Sequence, residues 1–376
     1  MKIGYGLVAA LAAAYSAVAI APMQAQGLKP VKTVKPAVTV DGGTMSEIVG
    51  AVDDRKFTFG EVIARAQKDN INVFNQTVGQ VIGLDAASSL FGPTAKGSYS
   101  VTKPQAMALL RKKSPPLLGG ALKTMIETEL IDREAKKQGI TVSNEQVDKR
   151  IDQLLKMLHN QGRIPSGVTD TQFLAQNHYT RETLRQSLLP QTRLFNLIQH
   201  DFVEKRLGHK LTADDFFKVR HILVAVPMAM PGQSAADIKK VDDAALAKIT
   251  QIAADLETKK KTFEQAVKES SEDEASKAMG GDLGVQMRTV FVKEFETAAY
   301  ALKPNEISKP IRSQFGYHLI QLQQRGAEIP EDTRQQYLDN FESGQVQIYL
   351  RQLMTTHKVD NKLAVPTPGM PMMPGQ

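Results

Sequence analysis

Between residues 206 and 219 the spacing of apolar side chains changes from a helical period to strict alternation. Upstream, Leu122, Met125, Ile126, Leu130 and Ile131 recur every three or four positions, as do Val147, Ile151, Leu154, Leu155 and Leu158. From Val219 to Val226 the run VRHILVAV alternates and is β-branched, which is a strand pattern. One sheet or one bundle cannot absorb both patterns. A chain of 376 residues is long enough for two cores, so it is read as at least two bodies.

Ahead of the helical part, Lys2 and the uncharged run Ile3 to Ala21, followed by small residues at Ala19, Ala21 and Ala25, have the layout of a secretory signal peptide. Cleavage is placed after Ala25, giving a signal over 1–25, with an uncleaved membrane anchor as the rival reading. Residues 26–44 read as an extended linker rich in Pro, Lys and Val. Two short strands are expected around Asp53-Asp54 within Glu47 to Thr58, then a helix from Phe59 to Asp69. Residues 70–103, broken by glycines and Pro93, read as an irregular insertion. A short helix from Pro104 to Lys113 is stopped by Pro115-Pro116, and the next helix ends at Gly139. Ser143 with Gln146 forms a capping box. Helices over 170–176 and 180–206 are started by Asp170 and Thr180.

Downstream of the first strand, the pattern predicts a flexible loop at 227–234 and a helix from Asp242 to Lys260. It then predicts a helix capped by Thr262 and Gln265, a Gly-containing loop at 277–284, and a short helix from Lys293 to Leu302. Two strands, Glu306 to Ile311 and Tyr317 to Gln323, close this unit of about 110 residues. Pro330-Glu331-Asp332 opens a long helix through Met354, with Pro at its first position and acids in its first turn. The Pro/Met-rich end is read as a disordered tail over 359–376.

Composition removes whole classes of chemistry. With no cysteine, thiolate zinc sites, Fe–S clusters, thiol nucleophiles, disulfides and a lipidated N-terminal cysteine are all excluded. No His pair stands at metal-ligand spacing, so neither a metal nor a cofactor is expected. The net charge of +7 is uneven: residues 26–213 hold 26 Lys/Arg against 18 Asp/Glu, while 214–326 hold 16 of each. That basicity is scattered among carboxylates without aromatic interleaving, so no nucleic-acid partner is expected. Gly280-Gly281 lacks the Lys-Ser/Thr of a phosphate loop, and Ser100-x-x-Lys103 lacks the companions of an acyl-enzyme motif. The two glycines are read as turns that place Leu283.

Five pieces in order carry a resemblance: Arg220-His221-Ile222-Leu223-Val224, Ser271-Glu272-Asp273, Gly280 to Gly284, Phe295-Glu296, and Phe315-Gly316-Tyr317-His318-Leu319-Ile320. Over 216–326 they resemble a parvulin-type peptidyl-prolyl isomerase domain. Residues 48–58 paired with 127–151 resemble the N-terminal chaperone domain of the SurA/PrsA group of exported folding factors. The resemblance implies an α+β multidomain fold. A mainly helical chaperone domain over 45–212 would be completed by a C-terminal helix over 328–358, beside a parvulin-like domain with a small antiparallel sheet flanked by helices.

For function, the resemblance implies an exported cis–trans isomerase and chaperone acting on unfolded, proline-containing secreted or outer-membrane polypeptides. Leu283, Phe291 and Phe295 would cup the proline ring, over a polar floor of His221 and His318 completed by Asp273 and Ser313. Phe291 stands where relatives usually have Met. Asp273 stands where some have Cys, so a nucleophile cannot act there. Taken alone, a His on a strand is more often a satisfied core residue, and two Phe four apart are ordinary helix packing. One alternative function is therefore a non-catalytic periplasmic chaperone whose parvulin domain only binds peptide. Another is a substrate-binding or cell-wall scaffold. Any peripheral contact with an anionic membrane would fall to the basic half. Nothing in the sequence sets an oligomeric state.

Overall fold

The polar turn at Asp53-Asp54 closes a hairpin of β1 (Ile48–Val52) and β2 (Arg55–Thr58), which runs directly into α1 (Phe59–Asp69). The structure is a computed structural model and describes residues 46–69, 115–177, 179–227 and 232–363. The expected signal peptide, the linker, the 70–103 insertion, the 104–113 helix, Ser100 and Lys103, and residues 364–376 of the tail lie outside those residues.

Pro115-Pro116 begin a helix here: α2 runs Pro115–Gln138 and ends at Gly139, whose φ is 67°. Proline suits the first turn, where the missing N–H has no helical partner to lose. The core of this part is made by Val49, Val52, Phe59, Ile63, Leu122, Ile126 and Leu130, all buried. Gly50 is required by the close approach of β1 to α2, because a Cβ there would sit 2.9 Å from a Leu122 methyl. Next, α3 (Asn144–Asn160) opens on the Ser143–Gln146 capping box and buries Val147, Ile151, Leu154, Leu155 and Leu158. α4 (Asp170–Gln176) is capped one residue earlier than the sequence suggested, by Thr169 reciprocating with Gln172. α5 (Arg181–Gln199) continues through Pro190 into a π turn at His200–Glu204 and a last turn at Lys205–Leu207. Arg185 holds Asp148 through two bonds of 2.8 Å, tying α5 to α3.

The second core is built on β3 (Phe216–Ala225), which starts three residues before the strand expected from Val219. It is followed by α6 (Ala235–Glu257), α7 (Phe263–Ser270) and a single turn, α8 (Glu274–Lys277). Then come β4 (Asp282–Met287), α9 (Lys293–Ala301), β5 (Ile311–Ser313) and β6 (Gly316–Arg325). All pairings are antiparallel, in the order β4-β3-β6-β5. The loop expected at 277–284 contains the start of β4, and the strand expected at 306–311 is a loop with one isolated bridge, Ile307 to Gln321. Ile222, Val224, Tyr317 and Leu319 pack one face of the sheet against α6 and α7. Phe217, Val219, Ile320 and Leu322 face Phe295 and Ala299 of α9.

The long helix α10 (Glu331–Thr356) leads into β7 (Val359–Asn361), which pairs with β1 to make a β2-β1-β7 sheet. Residues 359–361, expected to belong to the tail, are thus a strand. The described residues fall into two units, one of residues up to 197 with those from 346 onward, the other 198–345. The divisions therefore fall inside α5 and α10. Residues 198–215 join the second unit through Val203, Leu207 and Leu211, which pack with Phe216, Met287, Ile329 and Leu338.

A clasp fastens β7 to the hairpin. Asp53, at φ 50°, accepts from His357 Nδ1 at 2.7 Å and from the Lys358 amide at 2.9 Å, and its own amide donates to the Lys358 carbonyl. Asp and Asn tolerate this left-handed backbone, whereas Ala does not. Asp53→Ala is expected to lower stability by about 1–3 kcal/mol, with Asp53→Asn costing less, as read by chemical denaturation.

Candidate active site

Register places the two histidines. In the β3–β6 ladder His221 pairs with Ile320 and Leu223 with His318, so both imidazoles leave the same sheet face on diagonal positions. Their rings stack at 20° with centroids 5.5 Å apart, and the two Nδ1 atoms are 3.2 Å apart. Both residues are buried.

The Ser271-Glu272-Asp273 segment is sewn to β3 by its backbone and side chains. The Leu223 amide donates to Ser271 Oγ at 3.2 Å, the Glu272 amide to the Leu223 carbonyl at 2.8 Å, and the Ala225 amide to Glu272 Oε2 at 2.9 Å. These bonds deliver Asp273 to His221, whose Nε2 lies 2.7 Å from Asp273 Oδ2. Ser276 Oγ donates to the same oxygen. At the other end, Ser313 Oγ on β5 is 2.7 Å from His318 Nε2 and accepts the Phe315 amide at 3.2 Å. The four polar residues expected to form a floor are brought into one line. Ser276 is an addition, and its only sequence trace is a serine three residues after Asp273 at the start of a helical turn.

The line has a direction. Burial pushes the His318 pKa down from 6.5 to about 4, helped by the charges of His221 and Arg312 and opposed by Asp273. His318 is therefore neutral at pH 7. For Asp273, burial acts to raise the pKa, but the hydrogen bonds from Ser276 and His221 outweigh it and hold the carboxyl below its usual range. A carboxylate there only accepts, so His221 Nε2 carries a proton. The facing Nδ1 atoms of His221 and His318 share one proton between them, and Ser313 Oγ pairs with His318 Nε2. Every ring nitrogen in the line thereby has a partner.

Beside this line stands an apolar wall. The Phe295 ring meets His318 edge-on at 5.4 Å and His221 at 5.8 Å. Phe291 lies 4.6 Å from Phe295, and Leu283 and Phe291, both half-buried, pack on the same cluster. Phe291 precedes α9 rather than sharing it with Phe295, so their contact comes from a turn rather than a helical i, i+4 pair. Phe295 itself is 3% exposed and serves as backing, leaving Leu283 and Phe291 as the accessible surface. Gly281 sets the depth of this arrangement. Its φ is 78°, its carbonyl accepts the His221 amide at 2.9 Å, and a Cβ would fall 2.3 Å from the His221 carbonyl oxygen. Among the described residues no group of three or more His, Asp or Glu side chains is placed to hold a metal ion.

A family model described as a PPIC-type PPIASE domain matches residues 221–324, and one for a SurA-like N-terminal domain matches 101–196. The chain carries a parvulin-type domain behind a SurA-like N-terminal domain. It is 55% identical to Foldase protein PrsA 1 of Bacillus cereus over 62 residues, which cover 16% of this chain and 22% of that protein. It is 30% identical to Foldase protein PrsA of Caldanaerobacter subterraneus subsp. tengcongensis over 204 residues, 53% of this chain and 54% of that one. With Chaperone SurA of Photorhabdus laumondii subsp. laumondii the identity is 40% over 117 residues, 31% of this chain and 25% of that one. The matches thus span from about a fifth to about half the length of these relatives.

The parvulin-type domain's neutral His318 has a measurable consequence. Since its folded pKa lies below the unfolded value, its contribution to stability is fully present above about pH 6.5 and is lost as pH falls through about 4. That contribution is on the order of 3 kcal/mol. Ring-nitrogen NMR should show His318 titrating near pH 4. A midpoint at the ordinary imidazole value would contradict the buried, neutral assignment.

Proposed function

We propose that this protein is an exported peptidyl-prolyl cis–trans isomerase that also holds unfolded polypeptides through its SurA-like body. The observation that carries the enzymatic half is the line Asp273–His221–His318–Ser313 lying against the Leu283–Phe291–Phe295 cluster. The X–Pro barrier of ~18–20 kcal/mol is the amide resonance lost as the C–N bond twists. A catalyst that makes no covalent bond lowers it by binding the twisted amide better than either planar isomer. Leu283 and Phe291 offer the proline ring an apolar seat that excludes water. While that seat holds the ring, the carbonyl on the other side of the bond rotates past the buried imidazoles. Each ring nitrogen is already engaged, so the floor offers a planar carbonyl no free donor. Asp273, held by Ser276 and His221, orients the line and acts electrostatically.

The holding half and the location rest on other observations. The SurA-like match over 101–196 includes α2, α3 and α4, and the excess of Lys/Arg over 26–213 gives that half of the chain the charge to attract acidic clients or an anionic membrane surface. The basic and apolar run at 1–25 supports export to the periplasm or cell envelope. Among the described residues no helix is long and apolar enough to cross a membrane.

The test is a proline-isomerisation assay on a short peptide with the full chain. Acceleration is expected, with kcat/KM reduced tenfold or more in His318→Ala and in Phe295→Ala, a loss of about 1.4 kcal/mol or more in transition-state binding. The His318→Ala protein should still suppress aggregation of an unfolded client. No acceleration by the wild-type chain, with aggregation suppressed, would instead favour the non-catalytic chaperone.

A further inference from the structure

The turn that carries Phe291 is held from the far side by a carboxylate of the following helix. Glu296, in the first turn of α9, reaches back so that its Oε1 accepts the Phe291 amide at 3.1 Å. The backbone of Thr289 and Val290 also favours the charged form of this carboxylate. The chain curls sharply here, with Thr289 at φ 80°. A non-glycine residue in that conformation costs of order 1–3 kcal/mol unless its surroundings enforce it. Other bonds pin the turn only at its start: the Arg288 amide donates to the Asp215 carbonyl at 2.9 Å, and Arg206 donates to the Thr289 carbonyl at 3.2 Å. The bond that reaches the backbone of Phe291 itself is Glu296's.

From that fixed backbone the Phe291 ring extends to Phe295, 4.6 Å away, and to Phe217, 6.1 Å away, while remaining half-buried on its other side. We propose that Glu296 is a positioning residue of the proline seat: its carboxylate fixes the turn 289–291 so that the Phe291 ring stands as one wall of the pocket. This rests on the isomerase reading above. Its hydrogen bond goes to that turn, and among the described residues none joins it to His221, His318, Asp273 or Ser313. Its loss therefore weakens the grip on the ring without altering the polar line. Length matters more than charge, since the side-chain oxygen must reach from the helix to the Phe291 amide.

The experiment compares Glu296→Ala, Glu296→Asp and Glu296→Gln in the full chain, using a tetrapeptide with Leu before Pro. It reads kcat and KM from isomerisation, and the peptide Kd from chemical-shift titration, which needs no turnover. In Glu296→Ala and Glu296→Asp, KM and Kd are expected to rise about five- to tenfold with kcat within twofold of wild type. In Glu296→Gln, which keeps one acceptor oxygen at full length, both should stay within about threefold. The His318 ring titration should not move in any of them. If Ala proves too unstable to fold, the Asp variant makes the same comparison with the charge retained. Unchanged KM and Kd in folded Ala or Asp variants would overturn the proposal, as would a loss confined to kcat. A wild-type chain that binds the peptide but does not accelerate it would sink the isomerase reading instead, and Kd alone would then decide the role of Glu296. A wild-type chain that neither binds nor accelerates would sink both.

Discussion

Antiparallel pairing of β3 with β6, from Phe217 opposite Arg325 to Ala225 opposite Gly316, sets the separation of His221 and His318, and every other part of the site is fastened to that pair. A one-residue slip of β6 against β3 would turn His318 to the opposite face, into the core under α6 and α7, and part it from His221. Two apolar cores of different composition hold the register, with Ile222, Val224 and Leu319 on one face and Val219, Ile320 and Leu322 on the other. Gly281 and the Ser271-Glu272 bridge then tie the flanking segments to the β3 backbone at His221, Leu223 and Ala225. The site is thus mounted on main-chain bonds of a central strand, which gives the side chains little freedom to reorganise.

Burial and hydrogen bonding act in opposite directions along the polar line. Burial dominates at His318 and keeps it neutral, whereas bonds from Ser276 and His221 dominate at Asp273 and keep it ionised. The negative charge sits at the outer end, where Asp273 is less enclosed than the histidines. The aromatic wall lies beside the two histidines. A site with this gradient suits rotation of a neutral amide better than proton transfer, because His318, at the far end from Asp273, stays neutral at pH 7.

Much of this was legible in the sequence because the informative residues lie in short contiguous runs. VRHILVAV and FGYHLI each combine strand alternation with one histidine, and the capping boxes at Ser143 and Thr262 are local by nature. What escaped depends on contacts distant in sequence or on weak patterning. β4 contains Gly284 and has half-exposed positions, so its residues resembled the end of a loop. The strand read at 306–311 contains Pro310, which cannot donate to a ladder, and regular pairing begins only at Ile311. β7 is three residues long with no apolar period, and it exists because β1 accepts it from some three hundred residues away. Ser276 was passed over, and Glu296 was named in the Phe295-Glu296 piece without a role, for the same reason: a serine and a glutamate in charged helical turns look like solvated surface until the fold shows where they point.

Two-dimensional exchange NMR on an unmodified Leu-Pro peptide tests the account most directly, because it observes both isomers at equilibrium without a coupled protease. With catalytic amounts of the full chain, cis and trans proline resonances should show exchange cross-peaks on a sub-second timescale, against the tens to hundreds of seconds of the free peptide. The peptide's shifts should report contact with Leu283 and Phe291. Binding at that surface without any exchange cross-peaks would show that the pocket holds proline but does not turn it, and would contradict the account.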